Sequence, residues 1–118
     1  MIDIDVNDIE IVQGNTAEID ITPLEDDDTP VIMQEGDKVI FTVALGRKTY
    51  IRKELTAAMQ NEDGSLTLML NPEDTMNMPP IDYEYDCLFI FADGSSYTFI
   101  KAAKFIVDKA ISKKGDVT

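Results

Sequence analysis

At 118 residues, 44% of them hydrophobic and 28% charged, the chain is long enough for one domain with a single apolar core. It has no histidine and one cysteine, Cys87, which excludes an intrachain disulfide, a cysteine metal cluster, Ser-His and Cys-His nucleophile pairs and imidazole acid–base work. The net charge of −13 is uneven: residues 1–37 hold 12 acids and no Lys or Arg, and residues 38–118 hold 11 acids against 10 basic residues. Such a surface repels phosphate backbones, so nucleic acid is not an expected partner. No apolar run approaches the roughly 20 residues of a membrane helix, so no membrane partner is expected. The N-terminus has neither a basic n-region nor an apolar h-region, which predicts synthesis in a cytoplasm without export through a signal peptide.

In chain order, Met1–Val6 alternates Ile2, Ile4 and Val6 with Asp3 and Asp5, the period of a strand with an acidic outer face. Ile9–Val12 continues or restarts it, and Gln13-Gly14-Asn15 turns the chain. Ala17–Thr22 sets Ala17, Ile19 and Ile21 inward and Glu18 and Asp20 outward, and Pro23, with no N–H to give, ends it. Glu25-Asp26-Asp27-Asp28 is an exposed loop. Adjacent carboxylates do not converge on a cation as those alternating along a Gly-turned loop do, so a solvated loop is expected and no metal site. After a weak apolar stretch at Val31–Gln34 and a turn at Glu35-Gly36-Asp37, Lys38–Leu45 is a strand with Val39, Phe41, Val43 and Leu45 inward. Gly46-Arg47-Lys48 turns it back into Tyr50–Met59, a strand whose Leu55, Ala58 and Met59 would also suit a short helix. Asn61-Glu62-Asp63-Gly64 leads into Leu66, Leu68 and Leu70. Asn71-Pro72-Glu73-Asp74 has the cap, the first-position proline and the acids of a single helical turn. Met76 and Met78 fill gaps under the stiff connector that Pro79 and Pro80 complete.

The longest strand follows. Tyr83, Tyr85, Cys87, Phe89 and Phe91 share one parity, which faces the core, and Asp82, Glu84 and Asp86 share the other. From Leu88 to Phe91 both parities are apolar, which predicts cover on both faces. Asp93-Gly94 supplies a two-residue hairpin turn, since Gly takes positive φ without a Cβ clash. The return strand runs from Tyr97 to about Val107, and Lys101-Ala102-Ala103-Lys104 interrupts its alternation, which predicts a bulge or bend. About seven to nine short strands with turns between them specify an all-β fold, an Ig-like antiparallel β-sandwich with at most one short helical turn. It occupies residues 1–110, with residues 111–118 as a frayed tail or linker stub. Tyr85-x-Cys87 has the spacing of the tyrosine corner of immunoglobulin domains, and the missing second cysteine and tryptophan exclude the disulfide-pinned form.

An ordered set of motifs runs through nearly the whole chain. They are Ile11-Val12-Gln13-Gly14-Asn15-Thr16, Gly36-Asp37-Lys38-Val39-Ile40-Phe41-Thr42-Val43, Asp63-Gly64-Ser65-Leu66-Thr67-Leu68, Asn71-Pro72-Glu73-Asp74-Thr75, Tyr83-Glu84-Tyr85-Asp86, Asp93-Gly94, Tyr97-Thr98-Phe99-Ile100 and Phe105-Ile106-Val107. Together they resemble the Ig-like N-terminal domain of phage baseplate upper proteins and related prophage tail proteins of Gram-positive bacteria. The resemblance implies a non-enzymatic structural module that binds other phage tail or baseplate subunits. It would be made in the host cytoplasm and carried in the virion tail, and it implies no catalytic residue and no cofactor.

Two other functions compete. A small adhesin-like or carbohydrate-binding sandwich would use exposed aromatics beside acids, with Tyr50 and Tyr97 as candidates. A carboxylate hydrolase would draw two acids from Asp82, Glu84 and Asp86, whose same-face spacing of roughly 6.5–7 Å suits a glycosidase pair, although a solvated strand face is the expectation. The charge pattern adds a last expectation. With the first strand beside the last, part of the acid at Asp3, Asp5, Glu18 and Asp20 would face Lys101, Lys104 and Lys109. The rest would form a surface for a basic partner, with oligomerisation only inside an assembly.

Overall fold

Alternation decides which face of each strand is buried, and the computed structural model, which describes residues 8–25 and 27–112, shows the result. Among these residues seven strands form: β1 (Ile9–Val12), β2 (Ala17–Ile21), β3 (Lys38–Leu45), β4 (Lys48–Thr56), β5 (Leu66–Leu70), β6 (Asp82–Ile90) and β7 (Ser96–Asp108). Among the described residues the helical content is one turn, α1 (Pro72–Thr75), and a 3-10 turn at Ala57–Met59 that ends β4. One sheet has the order β1-β7-β6-β3-β4 and the other pairs β2 with β5. This is the crossed order of an immunoglobulin sandwich, in which strands G, F, C and C′ share one sheet and B and E the other. Every pairing is antiparallel except the first: β1 lies parallel to β7, from Ile9 opposite Phe105 to Val12 opposite Asp108.

The core lies between the sheets. Val39, Phe41 and Val43 of β3, Ile51 and Leu55 of β4, Tyr83, Tyr85, Cys87 and Phe89 of β6, and Phe105 and Val107 of β7 face Ile21, Leu66, Leu68 and Leu70. Phe41 sits at its centre, with ring centroids 5.3 Å from Tyr85 and 6.3 Å from Phe105. Leu45, expected inward, is instead 43% exposed because the strand ends beside the Gly46 turn.

Beyond the small sheet, polar clamps close one end. Gln13 donates from Nε2 to the Met78 carbonyl at 2.6 Å and accepts at Oε1 from the Ala110 N–H at 3.1 Å. The buried Thr75 hydroxyl accepts from the Gly14 N–H at 2.8 Å. Asp74 accepts at Oδ2 from the Asn71 N–H at 2.8 Å and pairs with Lys53 at 2.9 Å, which ties α1 to β4. Met78 is buried under the connector, as expected of a gap filler.

Three expectations concern β6 and β7. Next to Tyr85, whose spacing to Cys87 is that of a tyrosine corner, the Tyr83 hydroxyl makes an upstream backbone contact, donating to the Pro79 carbonyl at 2.7 Å. Both tyrosines face inward, but Tyr83 stands at the start of β6, where the proline connector brings a carbonyl within reach. Leu88 and Ile90 are half-buried on the outer face of the large sheet, where Ile40, opposite Leu88, is buried. The apolar side chains on this face shelter one another across the Ile40–Leu88 pair. The expected irregularity in the last strand is present as two register shifts between β6 and β7, from Tyr85 opposite Ala103 to Cys87 opposite Ile100 and then Leu88 opposite Thr98. A third shift makes Tyr50 the extra residue between Thr49 and Ile51. The strand expected at Met1–Val6, with Asp3 and Asp5, lies outside the described residues, as do residues 113–118 of the tail.

Cys87 is fully buried, and burial, reinforced by the nearby Asp86 charge, pushes its thiol up to about 12. The native thiol should therefore resist a thiol reagent and react at the rate of the unfolded protein only in denaturant. Cys87→Ser, which places a hydroxyl among apolar neighbours, should cost about 1–3 kcal/mol by urea unfolding. Rapid native labelling would show that this strand face is not the inner one.

Candidate functional site

Pairing register gathers three connections at the other end of the sandwich. Lys38, which opens β3, pairs with Thr56 near the end of β4 and with Ile90 at the end of β6, and in the small sheet Ile21 pairs with Leu66. The β2–β3 loop (residues 22–37), the β4–β5 connection (residues 57–65) and the β6–β7 hairpin (residues 91–95) therefore meet.

Side-chain hydrogen bonds fix them. The buried Asp37 carboxylate accepts from the Ala92 N–H at 2.8 Å and from the Gln34 N–H at 2.9 Å, joining loop to hairpin. Gln60 donates to the carbonyls of Val31 and Gly64, each at 2.8 Å, and accepts from the Met33 N–H at 2.8 Å. The two Asp-Gly-Ser turns are built alike. Asp63 accepts from the N–H and hydroxyl of Ser65, and Asp93 does the same with Ser95. The serine hydroxyls, followed by the backbone N–H groups, hold both carboxyls below the usual range. Asp27 is lowered in the same way by Thr29. Gly36 adopts φ +94°, and a Cβ there would stand 2.9 Å from the Ala92 Cβ, so the loop and hairpin backbones approach as closely as this site permits.

Between the loop and the hairpin lies an open cleft of about 510 Å³ lined by Leu24, Glu25, Val31, Phe91 and Tyr97. Its floor is an aromatic stack: the Tyr97 ring lies 5.8 Å from Phe91 at 26° and 5.6 Å from Phe89 at 24°. The Tyr97 hydroxyl donates to the Leu24 carbonyl at 3.2 Å, which sets the ring against the loop. The Glu25 N–H donates to the Thr29 carbonyl at 2.9 Å, and the Glu25 carbonyl accepts from the N–H of Asp28, which has φ +67°. Apolar walls with a single carboxylate at the rim suit a ligand that is part aliphatic or aromatic and part cationic or hydroxylated.

Of the two aromatic candidates, only Tyr97 lines this cleft. Tyr50 sits near the opposite end of the large sheet, edge-on to Tyr83 at 4.9 Å with the Lys48 ammonium 4.8 Å above its ring. The carboxylate row is also split. Glu84 and Asp86 border a separate depression of about 170 Å³ with Thr42, Ala44, Tyr85 and Ala102, and burial raises the Asp86 carboxyl. Asp82 turns instead toward Glu10, whose carboxyl is raised by its hydrogen bond to Asp108, by the Asp108 charge, by slight desolvation and by Asp82. The parallel β1–β7 pair thus brings acid to acid. Among the described residues, no ion pair joins Lys101, Lys104 or Lys109 to the early acids. Glu18 and Asp20 point outward on β2, in the other sheet, where Asp20 accepts from the Thr67 hydroxyl. Sequence reading placed Glu25 in a solvated loop and Phe91 in the core, and it missed the cleft they share. The available signal was a loop with apolar residues at both ends, Leu24 and Val31, beside a hairpin opened by a phenylalanine.

Comparison with family models, with curated proteins and with solved structures found no match to this chain.

Two substitutions test how the loop end is held. Both Gly36 and Gly94 have φ near +94°, but only Gly36 has a neighbour within 4 Å of its would-be Cβ. Gly94→Ala should cost roughly 1–2 kcal/mol for backbone strain, and Gly36→Ala should cost about 1–3 kcal/mol more for the clash with Ala92. Equal losses would show that the close approach is not stabilising.

The acid pair gives a pH test. A carboxyl raised in the fold adds stability below its unfolded pKa and loses it as pH rises through the folded value. At neutral pH the ionised Glu10 is therefore in its least favourable form. Glu10→Gln should raise the urea midpoint at pH 7, and its advantage should shrink as the pH falls through the carboxylate range.

Proposed function

We propose that this chain is a non-catalytic structural module of a phage tail or baseplate that binds other protein subunits. The observation that carries the reading is the loop end. An apolar, acid-rimmed cleft stands open on loops locked by Asp37 and Gln60, a shape that receives part of another chain. The ordered resemblance across the sequence supplies the phage setting. The Glu84–Asp86 depression supports hydrolysis less well. Its surrounding side chains are small or apolar apart from the carboxylates, the Thr42 hydroxyl and Tyr85, so few donors are present to orient a substrate. Sugar binding is the second reading, favoured by Tyr97 beside Glu25, since an aromatic face with a carboxylate can hold a pyranose.

Particles released from the source strain after prophage induction, purified on a density gradient and analysed by mass spectrometry, should contain this chain at a fixed ratio to other tail proteins. Its absence from intact particles while it is abundant in the cell would overturn the reading.

A further inference from the structure

We infer that the cleft between the β2–β3 loop and the β6–β7 hairpin docks a basic segment of a partner protein. An arginine of that segment would lie with its aliphatic stem on Phe91 and Tyr97 and its guanidinium toward Glu25. The inference rests on the proposed role as a protein-binding module and names the chemistry of the partner.

The lining residues select the ligand class. Leu24, Val31, Phe91 and Tyr97 favour burying apolar surface, and the only charged side chain among the lining residues is Glu25. A neutral apolar partner would cover that carboxylate without a counter-charge, which is costly, and an acidic partner or a phosphate would be repelled. A guanidinium satisfies both halves, because it stacks on aromatic faces and its fork matches a carboxylate. The charge is not already neutralised from within. Among the described residues the two ion pairs are Lys38–Glu54 and Lys53–Asp74, so Glu25 at the cleft and the exposed Asp27 and Asp28 of the same loop are in neither pair. Asp27, held below the usual carboxylate range by Thr29, keeps its charge beside the cleft. The site is also preorganised. The Tyr97 hydroxyl on the Leu24 carbonyl, the Val31 N–H on the Pro23 carbonyl and Gln60 on the Val31 carbonyl fix both walls before a partner arrives.

The test is an NMR titration of the full chain with two blocked pentapeptides, Ser-Arg-Leu-Arg-Ser and Ser-Glu-Leu-Glu-Ser. The arginine peptide should shift amides in residues 24–31 and 91–97, and the glutamate peptide should leave them in place. Glu25→Gln, an exposed substitution, should weaken the arginine peptide by about tenfold, the effect of losing one charge-assisted contact. Raising the salt should weaken binding further. Shifts spread over the whole acidic surface, equal responses to both peptides, or an unchanged affinity for Glu25→Gln would each overturn the inference. Absence of the chain from phage particles would remove the phage setting and leave the peptide result standing. A chain present in particles whose cleft ignores the arginine peptide would overturn the docking inference alone.

Discussion

Among the described residues a pair of five-residue strands has to cover the inner face of a five-stranded sheet whose longest strand has 13 residues. Everything else in the fold answers that shortfall. Under β2 and β5, Phe41, Tyr85, Phe89 and Phe105 are sealed by Ile21 and the three leucines of β5, and each such side chain contributes roughly 1.5–3 kcal/mol. Past one end of the small sheet, α1 and the proline connector take over, held by Gln13, Thr75 and the Tyr83 hydroxyl. Past the other end the cover is the β2–β3 loop. That loop leaves Phe91 and Tyr97 half-buried, and the cleft is the part of the inner face that the smaller sheet is too short to reach.

Local features of the fold could be read from the chain. Alternation in Lys38–Leu45 and Asp82–Ile90 reports which atoms must leave water, and the Asp-Gly turns report where φ must be positive. The interrupted run Lys101–Lys104 marked the register shifts, because charged residues cannot take inward positions. What escaped was decided by distant partners. Spacing to Cys87 cannot report that the Tyr83 hydroxyl reaches the Pro79 carbonyl, because the proline connector decides that approach. Apolar residues on both faces of Leu88–Ile90 report burial without naming the atoms that supply it, and Ile40 opposite Leu88 supplies part. The cleft depends on residues about 70 positions apart, and no local pattern reports such a meeting.

The distribution of charge has a similar logic. Acids in the first third were expected to find the late lysines through the pairing of the first strand with the last. That pairing exists, but its register sets Glu10 near Asp108 and Asp82. The fold tolerates this because Glu10 and Asp82 are exposed, Asp108 is only half-buried, and water screens them. Among the described residues the acidity is turned outward, at Glu18 and Asp20 on β2 and at Glu25, Asp27 and Asp28 in the β2–β3 loop.

The parallel pairing of β1 with β7 also bears on how the domain carries tension. Pulling β1 from its Ile9 end and β7 from its Asp108 end draws the two strands past each other along their own axes. Every hydrogen bond in that register is then strained together, whereas an antiparallel hairpin pulled from its open end parts one bond at a time. The Gln13 N–H, donating to the Asp108 carbonyl at 2.9 Å, and the Gln13 side chain on the Ala110 N–H lengthen the same seam past the strand ends. A tensile force across the sandwich thus meets its resistance at this short edge, and the aromatic core is reached only after that edge has slid.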